Sequence, residues 1–139
     1  MTTNVYFISG HLDFSKDEFE THYVPKINEA LASGANFVIG DARGVDTMAQ
    51  EYLADKTTPG QVTIYHIYSS PRNCVSANYL KVGHYTNYTE RDAAMTLAST
   101  HDIAYVRSVE EQKKLFGPKY RHRISGTEKN LIRRAKQKI

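Results

Sequence analysis

Cysteine, tryptophan and long apolar runs are what this chain of 139 residues has least of. Its one cysteine, Cys74, excludes an internal disulfide, and the absence of tryptophan leaves the 10 tyrosines as the main aromatic resource. No apolar run is long enough for a membrane span or the core of a signal peptide, so a reducing cytoplasm is the expected setting. There the glycosylation triplet Asn87-Tyr88-Thr89 would never meet its chemistry. Proline is also scarce, at 4 residues, and no Pro/Gly/Ser-rich stretch reads as a linker. With 40% hydrophobic residues, the chain reads as one domain over 1–139 with a single core, large enough to fold without disulfide or metal staples.

The net charge of +3 hides an asymmetry. Residues 1–70 carry 4 Lys/Arg against 9 Asp/Glu, whereas residues 71–139 carry 14 against 6. A basic second half suits phosphates, but its charges are spread over a helix end and a loop. The dense basic and aromatic stripe of a dedicated nucleic-acid binder is missing, so nucleic acid is not the expected partner.

Periodicity predicts alternating strands and helices. Val5-Tyr6-Phe7-Ile8, Phe37-Val38-Ile39, Val62 to Tyr68 and Asp102 to Val106 are short runs rich in β-formers. Between the first two, Ser15 and Glu18 have capping-box spacing and start a helix that Pro25 should kink or restart near Tyr23. Further helices are predicted from Val45, from Thr89, over Val109–Phe116, and after Ser125-Gly126-Thr127. Residues 69–88 show no clear period, and a structureless connection that long is usually functional or mobile. Alternation of this kind implies βαβ crossovers, hence an α/β fold with a mostly parallel, doubly wound sheet and helices on both faces. Ligands then bind beyond the carboxyl ends of the strands, which singles out Ser9-Gly10-His11, Gly40 to Asp46, the loop into Thr89 and the turn into Ser125.

The most informative of these is Gly40-Asp41-Ala42-Arg43-Gly44-Val45-Asp46. Two glycines let a ligand approach the backbone, the helix that follows aims amides at the same place, and Arg43 adds a forked donor for phosphate. The plainer reading is a tight strand-to-helix turn with Asp46 as the cap. Arg91, near a helix start, is suited to a phosphate or carboxylate, or equally to a surface salt bridge. Ser125-Gly126-Thr127 is a second candidate phosphate cradle, or an ordinary N-cap. The histidines lack two-His metal spacing, no Ser-His-Asp or Cys-His order stands out, and no metal or cofactor is expected.

Taken in order, Ile8-Ser9-Gly10, Gly40 to Asp46, Arg91-Asp92-Ala93-Ala94-Met95 and Ser125-Gly126-Thr127-Glu128-Lys129-Asn130 resemble the SLOG superfamily, with the Ala42-Arg43-Gly44-Val45-Asp46 turn the most specific part. This Rossmann-like superfamily includes the Lonely-guy phosphoribohydrolases, DNA-processing protein A and small nucleotide-sensing proteins. The resemblance runs from residue 5 to residue 136. It implies a site for a nucleotide-type small molecule formed by Gly10, Arg43, Gly44, Asp46, Arg91, Gly126 and Thr127, to which His11, Gly40, Ser125 and Asn130 are added by position. The chain departs from the family where His11-Leu12-Asp13 replaces an early arginine, where Asp41 replaces a glycine of the turn, and where Asn130 stands at the glutamate of the phosphoribohydrolases.

Two functions follow. The leading one is a module that senses or sequesters a nucleotide-derived ligand. The other is an N-glycosidase that releases the base from a nucleoside monophosphate, for which Asp41, Asp46 and Glu90 are the candidate carboxylates. The 69–88 segment, reaching over a neighbour's site, is compatible with a homodimer.

Overall fold

The computed structural model describes residues 3–121 and 124–137. Along the chain run β1 (Val5–Ser9), α1 (Lys16–His22), α2 (Val24–Ala32), β2 (Asn36–Gly40), α3 (Val45–Leu53), β3 (Val62–Ile67), β4 (Leu80–Tyr85), α4 (Tyr88–Ala98), β5 (His101–Ala104), α5 (Val109–Phe116) and α6 (Gly126–Gln137). The five strands form one sheet in the order β4-β3-β2-β1-β5, and every neighbouring pair is parallel. This is the doubly wound α/β sheet expected from the alternation of elements.

Strand side chains alternate between two helical layers. Ile8, Phe37, Ile39, Ile64 and Ile103 face Phe19, Tyr23 and Ile27 of the α1–α2 region and Val45, Ala49 and Leu53 of α3. Phe7, Val38 and Tyr65 face Met95 of α4 on the other side. The sharp break between α1 and α2 falls at Tyr23, with Pro25 in the first turn of α2, where its missing N–H leaves no bond unmade. Ser15 and Glu18 make the reciprocal capping box.

One expectation needs correcting. The stretch 69–88 is not structureless, because Leu80–Tyr85 forms β4, paired with β3. No residue of this edge strand is fully buried and half are exposed, Leu80, Lys81 and His84, so there is no buried alternation for sequence periodicity to detect. Gly83 is required there, since a Cβ would lie 1.9 Å from the His66 ring. The strand predicted to run from Asp102 to Val106 is instead His101–Ala104, and beyond it the chain peels away from β1.

That peeling has an identifiable cause. The order reverses between β1 and β5, and Ser9 opposite Ala104 is their last pair. Beyond it the buried Tyr23 hydroxyl donates to the Ser9 carbonyl at 2.7 Å and accepts from the Tyr105 amide at 3.0 Å. The phenol replaces the ladder bonds that diverging strands cannot make. Gly10 admits it, because a Cβ there would lie 2.5 Å from the tyrosine oxygen. Burial pushes the phenol well above the ordinary tyrosine range, so it remains a donor.

Arg107 ties the same two loops further out. Its buried guanidinium binds Asp13 at 2.9 Å and both oxygens of Glu18, and stacks over Phe14. Removing the Tyr23 hydroxyl leaves a carbonyl and an amide unsatisfied where the strands part. Tyr23→Phe is therefore expected to lower the unfolding free energy by about 1–3 kcal/mol, with an unchanged dependence on denaturant. A loss below about 0.5 kcal/mol in urea titration would show that this bridge does not hold the strands.

Candidate functional site

At the carboxyl end of β2, Asp41 has no exposed surface yet carries a carboxylate that organises three segments. One oxygen accepts from Arg91 of α4 at 2.9 Å and from the Arg72 side chain at 3.0 Å. The other accepts from the Arg72 backbone amide at 2.8 Å. Asn73 donates to the Asp41 carbonyl, and Gln50 on the inner face of α3 donates to the carbonyls of Gly40 and Asn73 while accepting from the Val75 amide. The crossover between β3 and β4 is thus pinned over the end of the sheet without a helix of its own.

The two guanidiniums share a third neighbour. Arg72 lies 4.7 Å and Arg91 5.0 Å from the centroid of the Tyr88 ring, so both cations meet the π-face of the first residue of α4. Arg91 also holds Asp92 through its Nε and Nη2. Arg91 is buried, whereas Arg72 is half exposed, so the pair presents one fixed cation and one reachable from solvent.

Asp46, in the first turn of α3, is buried close by and accepts from the Ala42 amide at 3.1 Å. It packs against Gly40. A Cβ on Gly40 would lie 2.6 Å from an Asp46 carboxyl oxygen and 3.1 Å from the Arg91 guanidinium, so glycine is required for the acid and the cation to pack against the strand end. The first amide of α3, that of Val45, donates to the His11 carbonyl instead of facing outward. Gly44, at φ +77°, lets the two loops touch, because a Cβ would lie 2.4 Å from that carbonyl. The glycines of the turn therefore serve packing as well as access.

Small residues continue along the α4 side of the sheet. Ser9 lies two residues beyond Phe7 and so on the same face, beside Gly40 on β2 and opposite Ala104 on β5. The Ser9 hydroxyl is buried and has no hydrogen-bond partner among the described residues. Near the end of α6, Arg134 bonds the carbonyls of Thr96 and Ser99 at the end of α4. The two helices thus pack with their starts directed to the same, carboxyl end of the sheet.

The residues expected at the site are therefore distributed unevenly. Gly40, Asp41, Asp46 and Arg91 are brought together. Arg43 is exposed on the outside of the turn. His11 turns toward the segment after β5, where its Nε2 accepts from the Arg107 amide at 3.3 Å. Ser125 caps α6 through the Glu128 amide, Gly126 borders open space, and Thr127 and Asn130 are buried, with Asn130 held by Arg133. Glu90 is exposed and bonded to Thr86 at 2.5 Å, next to Arg91 in sequence but not bonded to it. Arg72, Asn73, Gln50, Tyr88, Ser9 and Arg107 complete the arrangement. Of these, Gln50 carried a readable signal, being a polar residue adjoining the apolar stripe of Val45, Ala49 and Leu53. Tyr88 and Arg91 have helical i, i+3 spacing.

The two aspartates differ chemically. Burial pushes the Asp41 carboxyl up, but the bonds from Arg72 and the charge of Arg91 outweigh it and hold the group below the usual range. Asp46 has a single amide donor, and its burial prevails over Arg91, raising it to about 7. A carboxyl raised by folding is protonated in the native state at pH values where the unfolded chain has already ionised. Its contribution to stability is therefore complete near pH 4 and is lost as pH rises through 7. Glu18, lowered to about 2 by Arg107, acts oppositely, and its contribution is complete by about pH 5. Between pH 5 and 7, wild-type stability is expected to fall with pH and Asp46→Asn to flatten the decline, a difference on the order of a few kcal/mol read by denaturant titration.

Comparison with protein-family models, with curated proteins and with solved structures finds no match to this chain.

Proposed function

We propose that this chain binds a nucleotide or nucleotide-derived small molecule across the carboxyl ends of β1, β2 and β5, as a sensing or sequestering module of SLOG type. The observation that carries this reading is the Asp41 cluster. A fully buried carboxylate fixes one buried and one solvent-reachable arginine against a single tyrosine ring. Guanidiniums so oriented suit a phosphate, since a planar fork held in advance loses little freedom on binding. The Tyr88 ring, 43% exposed, offers a face on which a base can stack. The strand order reverses between β1 and β5, and in doubly wound sheets that is the place where ligands are taken. The Ser9 hydroxyl, without a hydrogen-bond partner among the described residues, supplies a polar contact for a sugar or phosphate oxygen.

Cleavage of an N-glycosidic bond is favoured by a different observation. Asp46 is a buried carboxyl able to hold a proton near neutrality, as an acid that protonates a leaving base must. Asp41 is committed to two arginines and Glu90 to Thr86, which leaves Asp46 the best of the three carboxylates for that role. We place the protein in the reducing cytoplasm, in keeping with its single cysteine. No helix among the described residues is long and apolar enough to cross a membrane.

AMP and other nucleoside monophosphates are expected to raise the melting temperature. At a hundredfold excess over Kd the gain corresponds to about 2.7 kcal/mol, and Arg91→Met should abolish it. Chromatography of the same mixtures decides between the readings. Stabilisation without free base excludes the enzyme, base release lost in Asp46→Asn excludes simple binding, and no thermal shift with any nucleotide rejects both.

A further inference from the structure

None of the eight residues of α5 is buried, although the helix carries Val109, Leu115 and Phe116, which are 44%, 54% and 39% exposed. A capping box between Ser108 and Glu111 starts it and Gly117, at φ +56°, ends it, so local bonds define its limits. Glu111 accepts from the Tyr105 hydroxyl at 2.6 Å and Gln112 donates to the Arg107 carbonyl at 2.9 Å, both in the first half of the helix. A helix this short is marginal in water unless something packs on its apolar side. Its charges are also sorted. Glu110 and Glu111 lie in the first turn, whereas residues 112–121 carry Lys113, Lys114, Lys119 and Arg121 and no acid.

A groove of about 650 Å³ runs between the α1–α2 pair and α3. Phe19, Val24, Met48 and Tyr52 give it an apolar lining. Glu20 and Glu51 are its exposed acids, against the single cation Lys16. This groove and α5 flank the same helix. On one side of α1, Glu18 binds Arg107 and His22 stacks on Tyr105 at 3.6 Å, and Tyr105 in turn reaches Glu111 of α5. On the other side, Lys16, Phe19 and Glu20 face the groove.

We infer that the chain forms a two-fold dimer in which the end of α5 from each copy, Leu115 and Phe116 with Lys113 and Lys114, seats in the groove between α1–α2 and α3 of the other. Apolar side chains of a short helix entering an apolar groove are a recurring mode of recognition. The charges agree with it, because the basic end of α5 meets Glu20 and Glu51, and the acidic first half of the chain meets the basic second half. Since both surfaces flank α1, a two-fold axis beside that helix satisfies both contacts at once and closes the assembly at two copies. The lining of the groove and the residues of α5 take no part in the proposed nucleotide site, so the dimer stands or falls independently of it.

Sedimentation equilibrium of the whole chain at micromolar concentrations is expected to show a reversible monomer–dimer equilibrium. Leu115→Asp places a charge on the seated tip, and Glu20→Lys with Glu51→Lys sets like charges against Lys113 and Lys114; each change should raise the dimer Kd about tenfold or more. Lys113→Glu with Lys114→Glu should weaken the dimer similarly. Joining the two reversals in one chain should restore the Kd to within about threefold of wild type, which a contact made elsewhere on the surface would not do. All five positions are exposed, so the core is untouched by these changes. A chain that stays monomeric overturns the inference and leaves the groove to another occupant. A dimer that none of the changes weakens is held by a different face and overturns it as well, as does a combined reversal that fails to restore association.

Discussion

A carboxylate without solvent is costly unless donors surround it, and Asp41 is surrounded by three donors from two separate segments. Those bonds fix the path of the chain between β3 and β4, which has no helix to guide it, and set the start of α4 over the sheet. Gln50 and Asn73 complete the tie from α3 and from the crossover itself. Because breaking one member strands the others, the cluster behaves as a unit, and the positions of Arg72, Arg91 and Tyr88 follow from it. Held this way, both cations are fixed by the protein's own bonds.

The reversal of strand order poses the complementary problem. Where β1 and β5 part, backbone groups lose their partners, and the Tyr23 hydroxyl fills the breach because it can donate and accept at once. Arg107 closes the outer loops over the same place. These ties on both sides leave the small residues Ser9, Gly40 and Ala104 between them where the strand order reverses.

Much of the fold was legible locally. The capping box at Ser15, the break at Tyr23 ahead of Pro25 and the buried runs at Phe7, Val38 and Ile64 reflect interactions within a few residues or a bury-or-expose pattern. β4 escaped because an edge strand is selected by the neighbour it pairs with, and Leu80, Lys81 and His84 remain exposed. At the site, Asp41, Asp46 and Arg91 could be named from the turn and the helix start. Arg72 and Gln50 could not be given partners, since their bonds to Asp41 and Asn73 span more than twenty residues.

The sequence by itself determined the α/β alternation, the doubly wound sheet and the glycine turn at its carboxyl edge, because hydrophobic period, caps and φ-permissive residues act over short distances. Only tertiary structure decided what the two aspartates of that turn are. They stand five residues apart with the same side chain, yet two arginines hold the Asp41 carboxyl below the usual range, whereas burial, against one amide and the charge of Arg91, raises Asp46 to about 7. A carboxyl's charge depends on the dielectric and the donors around it, and those are assembled from α4 and the β3–β4 crossover, which the turn meets only once the chain has folded.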